Sequence, residues 1–188
     1  MLLWFFTLLI FSNTAMAIEE QKFTLLEKDH AFELRDYAPK IIAEVVVDGD
    51  MRESSSKGFR IIADFIFGNN TVQSGKSEKI SMTAPVGVQQ ESKGWKVYFV
   101  MPSQYTLETL PKPKSPLVSI KQISSQKFAV IRFSGLVNEE KMEKKVAELK
   151  HWTDNKKLKV LGNPELARYN PPWTLPFLRR NEVMVEVE

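Results

Sequence analysis

The 188-residue sequence contains no cysteine and only two histidines. Without cysteine the chain has no disulfide, no thiol nucleophile and no thiolate metal ligand. It also lacks a glycine-rich phosphate loop, an HExxH zinc motif and a G-x-S-x-G nucleophile elbow. These absences exclude the most easily recognised nucleotide-binding, zinc and serine-hydrolase sites.

Neither sign of charge dominates the sequence. The 26 basic and 23 acidic residues give a net charge of +3 and are interleaved along the chain. The short basic clusters Lys112–Lys114 and Lys156–Lys159 lack the intervening aromatic residues of a nucleic-acid-binding surface. With 43% hydrophobic and 26% charged residues, the composition is typical of one globular domain. We therefore expect no nucleic-acid partner.

A long apolar run lies at the N-terminus. Leu2–Phe11 is interrupted only by Thr7, and Ala15-Met16-Ala17 then supplies a small-x-small cleavage site. No lysine or arginine precedes the run, and the run is too short to span a bilayer. We expect residues 1–17 to be a signal peptide and the domain 18–188 to be exported, periplasmic or secreted, without a stable membrane anchor.

The two halves of the sequence match each other at a constant offset of 86 residues. Both halves alternate apolar and polar residues before a glycine, then continue with a helical pattern and a further strand. Such a match indicates one duplicated supersecondary unit. The matched pairs are Ala43 and Ala129, Gly49 and Gly135, Pro85 and Pro171, Val97 and Val183, and Phe99 and Val185.

Alternation and turn residues predict the strands. In the first half the predicted strands are Phe32–Tyr37, Lys40–Val47, Ile80–Gln89 and Trp95–Val100. In the second half they are Phe128–Ser134, Ala167–Tyr169 and Glu182–Val187.

Two segments have the 3.6-residue periodicity of an amphipathic helix. The first follows Asp48-Gly49-Asp50, ends near Phe67 and carries Phe59, Ile62, Ala63 and Ile66 on one face. The second runs from the N-cap Asn138 to about Asn155.

These elements predict an α+β fold. Two β-α-β-β units, at about 30–102 and 117–188, form a distorted antiparallel β-barrel of about eight strands flanked by two helices. We expect a ligand groove between the sheet and a helix.

The titratable residues do not form a recognisable catalytic set. His30 lies in the polar run Lys28-Asp29-His30, and His151 is opposite the apolar face of the second helix. We expect both histidines on the surface rather than as a catalytic base or metal ligand. Since the acidic residues are scattered, we expect no enzyme and no dedicated metal site.

Two sequence blocks, Lys79–Val86 and Arg168–Val183, carry more specific information. The chain also contains four shorter motifs, which are Tyr37-Ala38-Pro39, Gly58-Phe59-Arg60, Ile66–Asn70 and Val100–Ser103. In these motifs the chain resembles the SOUL haem-binding family. The resemblance covers residues 18–188 and implies a duplicated α+β barrel that binds haem or another tetrapyrrole in a largely apolar groove.

Three positions depart from other members of that family. In some animal members a histidine, suggested as the axial ligand, precedes the tyrosine of the first-strand motif; Asp36 stands there in this chain. Basic residues suggested to bind the propionates fall on Ser56 and Asp64. Neither the axial ligand nor the charge clamp carries over directly.

Other residues are therefore candidates for contacts with haem. One apolar wall would be Phe59, Ile62, Ala63 and Ile66, and the other Met82, Phe99 and Trp173. Cations for the propionates would be Arg60, Arg179 and Arg180, and an iron ligand would be Met82 or Tyr169. Each set also has a structural interpretation, because apolar helix faces usually form core and arginines often pair with carboxylates.

Three functions remain open. The favoured one is an exported haem or tetrapyrrole carrier, buffer or scavenger. The second is a module that binds another hydrophobic small molecule in the same groove. The third is a hydrolase that uses Glu, Asp or Tyr, for which the sequence offers no nucleophile or acid–base pair.

Overall fold

The computed structural model describes residues 18–188, so the predicted signal peptide lies outside the described residues. The helices are α1 (Met51–Ile66) and α2 (Glu139–Asn155), with a 3-10 turn at Pro176–Leu178. The strands are β1 (Glu19–Glu20), β2 (Phe23–Asp29), β3 (Phe32–Tyr37), β4 (Lys40–Val47), β5 (Asn70–Thr71), β6 (Thr83–Ala84), β7 (Val86–Glu91), β8 (Gly94–Val100), β9 (Lys112–Pro113), β10 (Ser119–Ile123), β11 (Gln126–Phe133), β12 (Glu165–Arg168) and β13 (Asn181–Val187).

Nine of these strands form one antiparallel sheet that curls into a half-barrel. Its strand order is β10-β4-β8-β7-β12-β13-β11-β3-β2. The two central strands, β7 and β12, pair from Val86↔Arg168 to Gln89↔Glu165. The predicted α+β fold with two flanking helices is confirmed.

Apart from the edge strand β2, the strand order is symmetric about the β7–β12 pair. Outward from it, β8, β4 and β10 on one side correspond to β13, β11 and β3 on the other. Adding the predicted offset of 86 residues to the bounds of β4 gives the bounds of β11. Helix α1 packs on β4 and β8, as α2 packs on β11 and β13. The origin of both halves in one duplicated unit stays a prediction.

Both helices begin at a capping side chain. Asp50 accepts a hydrogen bond from the backbone N–H of Glu53 at 2.8 Å, and Asn138 accepts one from Lys141 at 3.0 Å. The acidic residues Glu139 and Glu140 in the first turn of α2 favour its positive end. The observed first and last residues of both helices lie within one residue of the predicted ones.

The apolar face of each helix covers one half of the sheet. Under α1 lies a cluster that includes Ile62, Phe65 and Phe99, and under α2 one that includes Leu149, Trp152 and Ile131. Gly58 permits the close approach of α1, because an added Cβ would lie 2.6 Å from the side chain of Val97. Within residues 18–188, no helix packs on the opposite face of the sheet.

Three features of the sheet differ from the predicted strands. Strands β2 and β10 were not predicted, and both lie at the edges of the sheet, where most of their side chains are exposed. The predicted strand Ile80–Gln89 is divided by Pro85, which has no N–H to donate, into β6 and β7.

Candidate functional site

The helix-free face of the sheet carries a buried ion pair. The Nη1 and Nη2 atoms of Arg35 donate to Glu182 Oε2 and Oε1 at 2.7 and 3.0 Å. Tyr169 also donates to Glu182, at 2.8 Å, and Arg35 donates to the hydroxyl of Tyr37 at 2.9 Å. Arg180 reaches Glu182 Oε1 from the rim at 3.0 Å. These contacts satisfy the buried charges.

The cluster shifts the pKa values of its members. Burial alone would raise the pKa of Glu182, but hydrogen bonds and charge from Arg35, together with Arg180 and Tyr169, hold that pKa below its usual range. Burial raises the pKa of Tyr37 to about 12 and raises that of Tyr169 well above its ordinary value. At neutral pH the carboxylate is charged and both phenols are protonated.

A second polar contact lies on the same face in the other half. The hydroxyl of Tyr98 donates to Glu165 at 2.6 Å. Gly87 on the neighbouring strand makes room for the Tyr98 ring, since a Cβ there would lie 2.2 Å from it. Burial raises the pKa of Tyr98 well above its ordinary value, so the phenol remains a donor.

The first described residues cross the end of this face. Strand β1 pairs in parallel with β6, and Glu20 forms an ion pair with Arg180 at 2.8 Å. Gln21 accepts a hydrogen bond from the ammonium of Lys40 at 3.2 Å. The N-terminal segment is thus attached to both halves of the sheet.

A groove of about 480 Å³ lies between the tip of the β2–β3 hairpin and the chain that leads into β13. Its apolar surface comes from Phe133, Phe177 and Leu178. The polar side chains that line it are Lys28, His30, Glu33, Arg132, Ser134, Arg179 and Arg180. A volume of this size is in the range of small-molecule sites.

The groove carries excess positive charge. Lys28 pairs with Glu33 at 3.3 Å, and Arg180 pairs with Glu20 and Glu182. Within residues 18–188, in contrast, neither Arg132 nor Arg179 forms a salt bridge with a carboxylate. Two guanidinium groups without an anionic partner therefore line the same groove.

The segment from Pro171 to Leu178 is hydrogen-bonded to its neighbours although most of its side chains are exposed. Arg179 Nε donates to the carbonyl of Thr174 at 2.8 Å, and the same guanidinium also donates to the carbonyl of Pro172. The backbone N–H of Gly135 donates to Pro176 at 2.9 Å. Trp173 is nevertheless 82% exposed. Arg179 thus braces this loop and lines the groove.

His30 is held at the hairpin tip by a hydrogen bond. Its Nδ1 lies 2.8 Å from Asp29 Oδ1, and Trp152 Nε1 donates to Asp29 Oδ2 at 3.0 Å. The hydrogen bonds from His30 and then from Trp152 lower the pKa of Asp29 below its usual range. The carboxylate is therefore an acceptor that orients the imidazole.

A second groove, of about 550 Å³, opens beside the N-terminal segment. It includes two of the motif segments, Ala38-Pro39 and Val100–Ser103. Three carboxylates, those of Glu19, Glu20 and Glu108, line it with only two lysines. Its charge is less suited to an anionic ligand than that of the first groove.

The predicted site residues are not all in one place. Arg179 and Arg180 line the first groove. Most of the predicted walls are core: Ile62, Ala63, Ile66 and Phe99 are buried, and half-buried Phe59 and Met82 pack against the same cluster. Arg60 is exposed on α1 and lines neither groove. A direct role for these residues in ligand binding stays a prediction.

The two predicted iron ligands are already engaged. Tyr169 donates its proton to Glu182 while the Arg180 guanidinium lies 3.6 Å above its ring. Because its pKa is raised, the tyrosinate that binds iron is disfavoured. Met82 packs on the core beneath α1. The sequence predicts His30 on the surface, where the structure places it, but does not single out Arg132. Pairing of β11 with β3 brings Arg132 beside the β2–β3 turn, where its backbone N–H donates to Ala31 at 2.9 Å.

One known protein family matches nearly the whole chain. Residues 18–186 match the family described as SOUL heme-binding protein. The chain belongs to this family. A search among curated proteins finds no significant match to this SOUL family member.

Solved structures share the fold of this SOUL domain at low sequence identity. The C-terminal domain of EcmrR has a TM-score of 0.64 at 11% identity, covering 84% of this chain and 96% of that one. A hydrolase from Listeria innocua has a TM-score of 0.59 at 12% identity, covering 87% and 94%. At these identities the likeness concerns the fold alone.

Two further findings concern the described part of the SOUL chain. Between residues 18 and 188, no helix has the length and apolar character needed to cross a membrane. In the same range, no three or more His, Asp or Glu side chains are grouped to hold a metal ion.

Proposed function

We propose that this SOUL protein binds haem or a related tetrapyrrole in the first groove and acts as a carrier, buffer or scavenger. The observation that supports this most is a pair of guanidinium groups, Arg132 and Arg179, in a groove of mixed apolar and basic lining. Within residues 18–188, neither forms a salt bridge with a carboxylate. The family description supports the same ligand class.

The residues of the groove fit the chemistry of haem. Haem presents a flat apolar macrocycle with two carboxylates at one edge. Phe133, Phe177 and Leu178 supply apolar surface, and arginine is well shaped to bind a carboxylate through two hydrogen bonds. Bound haem would supply an iron centre that protein side chains could coordinate.

We also propose that the protein works outside the cytoplasm and is not an enzyme. The support for export is the apolar run and cleavage site within residues 1–17. The support for binding without catalysis is the state of the buried groups. The negative charge of Glu182 is balanced by arginines, and the nearby phenols are protonated. A hydrolase would need a carboxylate or phenol poised to exchange protons.

The test is a haemin titration of the purified protein, followed by absorbance in the Soret region. We expect a saturable one-to-one shift, and a dissociation constant raised about 10- to 100-fold in Arg132→Gln, since a hydrogen bond between charged groups contributes roughly 1.5–3 kcal/mol. Arg60→Gln is the matched control, because Arg60 is an exposed arginine outside both grooves.

Three results are informative. A larger loss in Arg60→Gln than in Arg132→Gln would move the site to the face of α1. A Soret change proportional to added haemin, the same as with an unrelated protein, would refute haem binding. Equal affinity for haemin and for unrelated uncharged apolar dyes would favour the alternative of a general hydrophobic-ligand module.

A further inference from the structure

We propose that the loop of residues 171–178 docks this protein reversibly on an anionic lipid surface. The loop lies between β12 and β13, and its large apolar side chains are exposed. The exposed fractions are 82% for Trp173, 56% for Leu175, 70% for Phe177 and 62% for Leu178. This inference goes beyond the proposed function and does not depend on haem binding.

No other part of the described chain exposes so much apolar surface at one place. Of the large hydrophobic residues between 18 and 188, the four most exposed are Trp173, Phe177, Leu178 and Leu136. Leu136 belongs to the same surface, because the backbone N–H of the preceding Gly135 donates to the loop at 2.9 Å. Grouped apolar side chains on the surface of a soluble domain mark a site of interaction.

The backbone of the loop is suited to a region of low polarity. In such a region an unpaired N–H or carbonyl group is costly. Three of the eight loop residues are prolines, which have no N–H. Five of the loop carbonyls accept hydrogen bonds within the protein, namely those of Pro171, Pro172, Thr174, Leu175 and Pro176. The loop therefore gives up few hydrogen bonds to water when its side chains enter a lipid interface.

The surface around the loop is basic. Residues 168–181 contain three arginines and no acidic residue, and residues 132–138 contain one arginine and no acidic residue. Within residues 18–188, none of Arg132, Arg168 and Arg179 forms a salt bridge with a carboxylate. Burial and the nearby charge of Arg179 both lower the pKa of Arg168. An anionic surface would supply the missing partner charge.

The combination of side chains favours lipid over a protein partner. Indole rings prefer the headgroup level of a bilayer, which suits Trp173. Leucine and phenylalanine side chains beside it would enter the boundary with the acyl chains, while arginines bind lipid phosphates through charge-assisted hydrogen bonds. Peripheral proteins bind membranes reversibly through apolar side chains combined with basic residues.

The experiment measures co-sedimentation of the haem-free protein with vesicles of equal parts phosphatidylcholine and phosphatidylglycerol. It uses the chain from Ile18 onward, which contains every described helix and strand, because the apolar run Leu2–Phe11 would itself bind vesicles. We expect Trp173→Ser/Leu175→Ser to lower the partition coefficient about 10- to 100-fold, since both side chains lose their burial in lipid. Neither residue lines a groove, so the proposed haem site is unchanged.

The matched control is Phe67→Ser/Leu117→Ser. These side chains are 57% and 59% exposed and lie outside the loop. The control should bind vesicles as the unchanged protein does. Because all four replaced side chains are exposed, both double variants should keep the melting temperature of the unchanged protein.

The contribution of charge is tested separately. Arg132 lines the first groove together with Phe177 and Leu178 of the loop. Arg132→Gln should weaken vesicle binding about fivefold, as expected for one basic residue near an anionic surface. Arg60→Gln should leave binding unchanged, because Arg60 is exposed on α1 and lines neither groove. Added salt and vesicles of phosphatidylcholine alone should both weaken binding.

Tryptophan fluorescence reports insertion of the loop directly. Trp95 and Trp152 are each 7% exposed, so Trp173 is the tryptophan of the chain from Ile18 that can meet lipid. With anionic vesicles its emission should shift to shorter wavelength and be quenched by lipids brominated on their acyl chains. Neither change should occur in Trp173→Ser/Leu175→Ser.

Several results would overturn the proposal. These are equal losses in the loop variant and its control, equal binding to both kinds of vesicle, and no binding to either. If the protein binds no vesicles but self-associates through the loop, the loop is an interface between copies of this chain, and lipid docking is also refuted. Because haem is absent throughout, these results leave the proposed function untouched, and a failed haemin titration leaves docking untouched.

Discussion

Arg35 and Glu182 form a bidentate ion pair across the intervening strand β11, although 147 residues separate them in sequence. Their side chains are 1% and 0% exposed. Arg35 also forms a salt bridge with Glu33 at 2.6 Å, and Glu182 forms one with Arg180, so each charge of the pair has a second partner. The pair therefore connects the N-terminal strands to the last strand of the chain.

Removing both partners of this pair should destabilise the fold by less than the sum of the two single removals. Arg35→Met leaves the Glu182 carboxylate buried without its main partner, and we expect a loss of about 3–5 kcal/mol in the free energy of unfolding. The double variant Arg35→Met/Glu182→Leu should lose less than the sum of the single changes. Urea denaturation of the two single variants and the double variant measures this coupling, and additive losses would contradict it.

Stability should also decrease in acid. The pKa of Glu182 in the folded protein is below its ordinary value of 4.5, so the unfolded chain binds the proton more tightly. The contribution is complete above pH 4.5 and is lost as the pH falls through the lowered pKa of the folded state. Denaturation midpoints measured between pH 7 and pH 3 should show this fall, with a flatter profile in Arg35→Met/Glu182→Leu.

Gly87 should not tolerate a methyl group. Since an added Cβ would lie 2.2 Å from the Tyr98 ring, Gly87→Ala should displace that ring and weaken its hydrogen bond to Glu165. We expect a loss of about 1–3 kcal/mol from overpacking. Gly162→Ala is the control, because nothing lies within 4 Å of a Cβ there. Equal melting temperatures for both variants would refute this account.

Two tryptophans should differ sharply in their contribution to stability. Trp152→Ala removes a buried ring that stacks on Phe32, and we expect a loss of about 3–5 kcal/mol. Trp173→Ala changes a side chain in solvent, so the free energy of unfolding should change by no more than about 0.5 kcal/mol. A destabilised Trp173→Ala would mean that the loop after β12 has a structural partner.

The sequence predicts the buried elements of this fold well because their burial leaves a pattern. Phe32–Tyr37 and Lys40–Val47 are observed with the predicted bounds. Alternate side chains of the first strand are buried, and the second strand is buried on both faces from Ile42 to Val45. Strand β2 has mostly exposed side chains, so its sequence does not alternate, and only pairing with β3 places it in the sheet.

The candidate site was only partly predictable for a related reason. Arg179 and Arg180 belong to a conspicuous motif and were selected from it. His30 and Arg132 are ordinary polar residues in sequence, and they acquire a common position only when β3 pairs with β11. Conversely, the apolar face of α1 would show the same helical periodicity whether it contacted a ligand or the sheet. In the structure this face packs on the sheet.

The position of β13 in the strand order has a consequence for how the protein is made. This strand, Asn181–Val187, follows all the other strands along the chain, yet it lies between β12 and β11 inside the sheet. Until residues 181–187 leave the ribosome, the segments on either side of β13 have no shared neighbour, so the nascent chain cannot reach its final topology. Folding that depends on such distant pairings is slow. Loss of residues 181–187 would therefore divide the sheet rather than trim its edge.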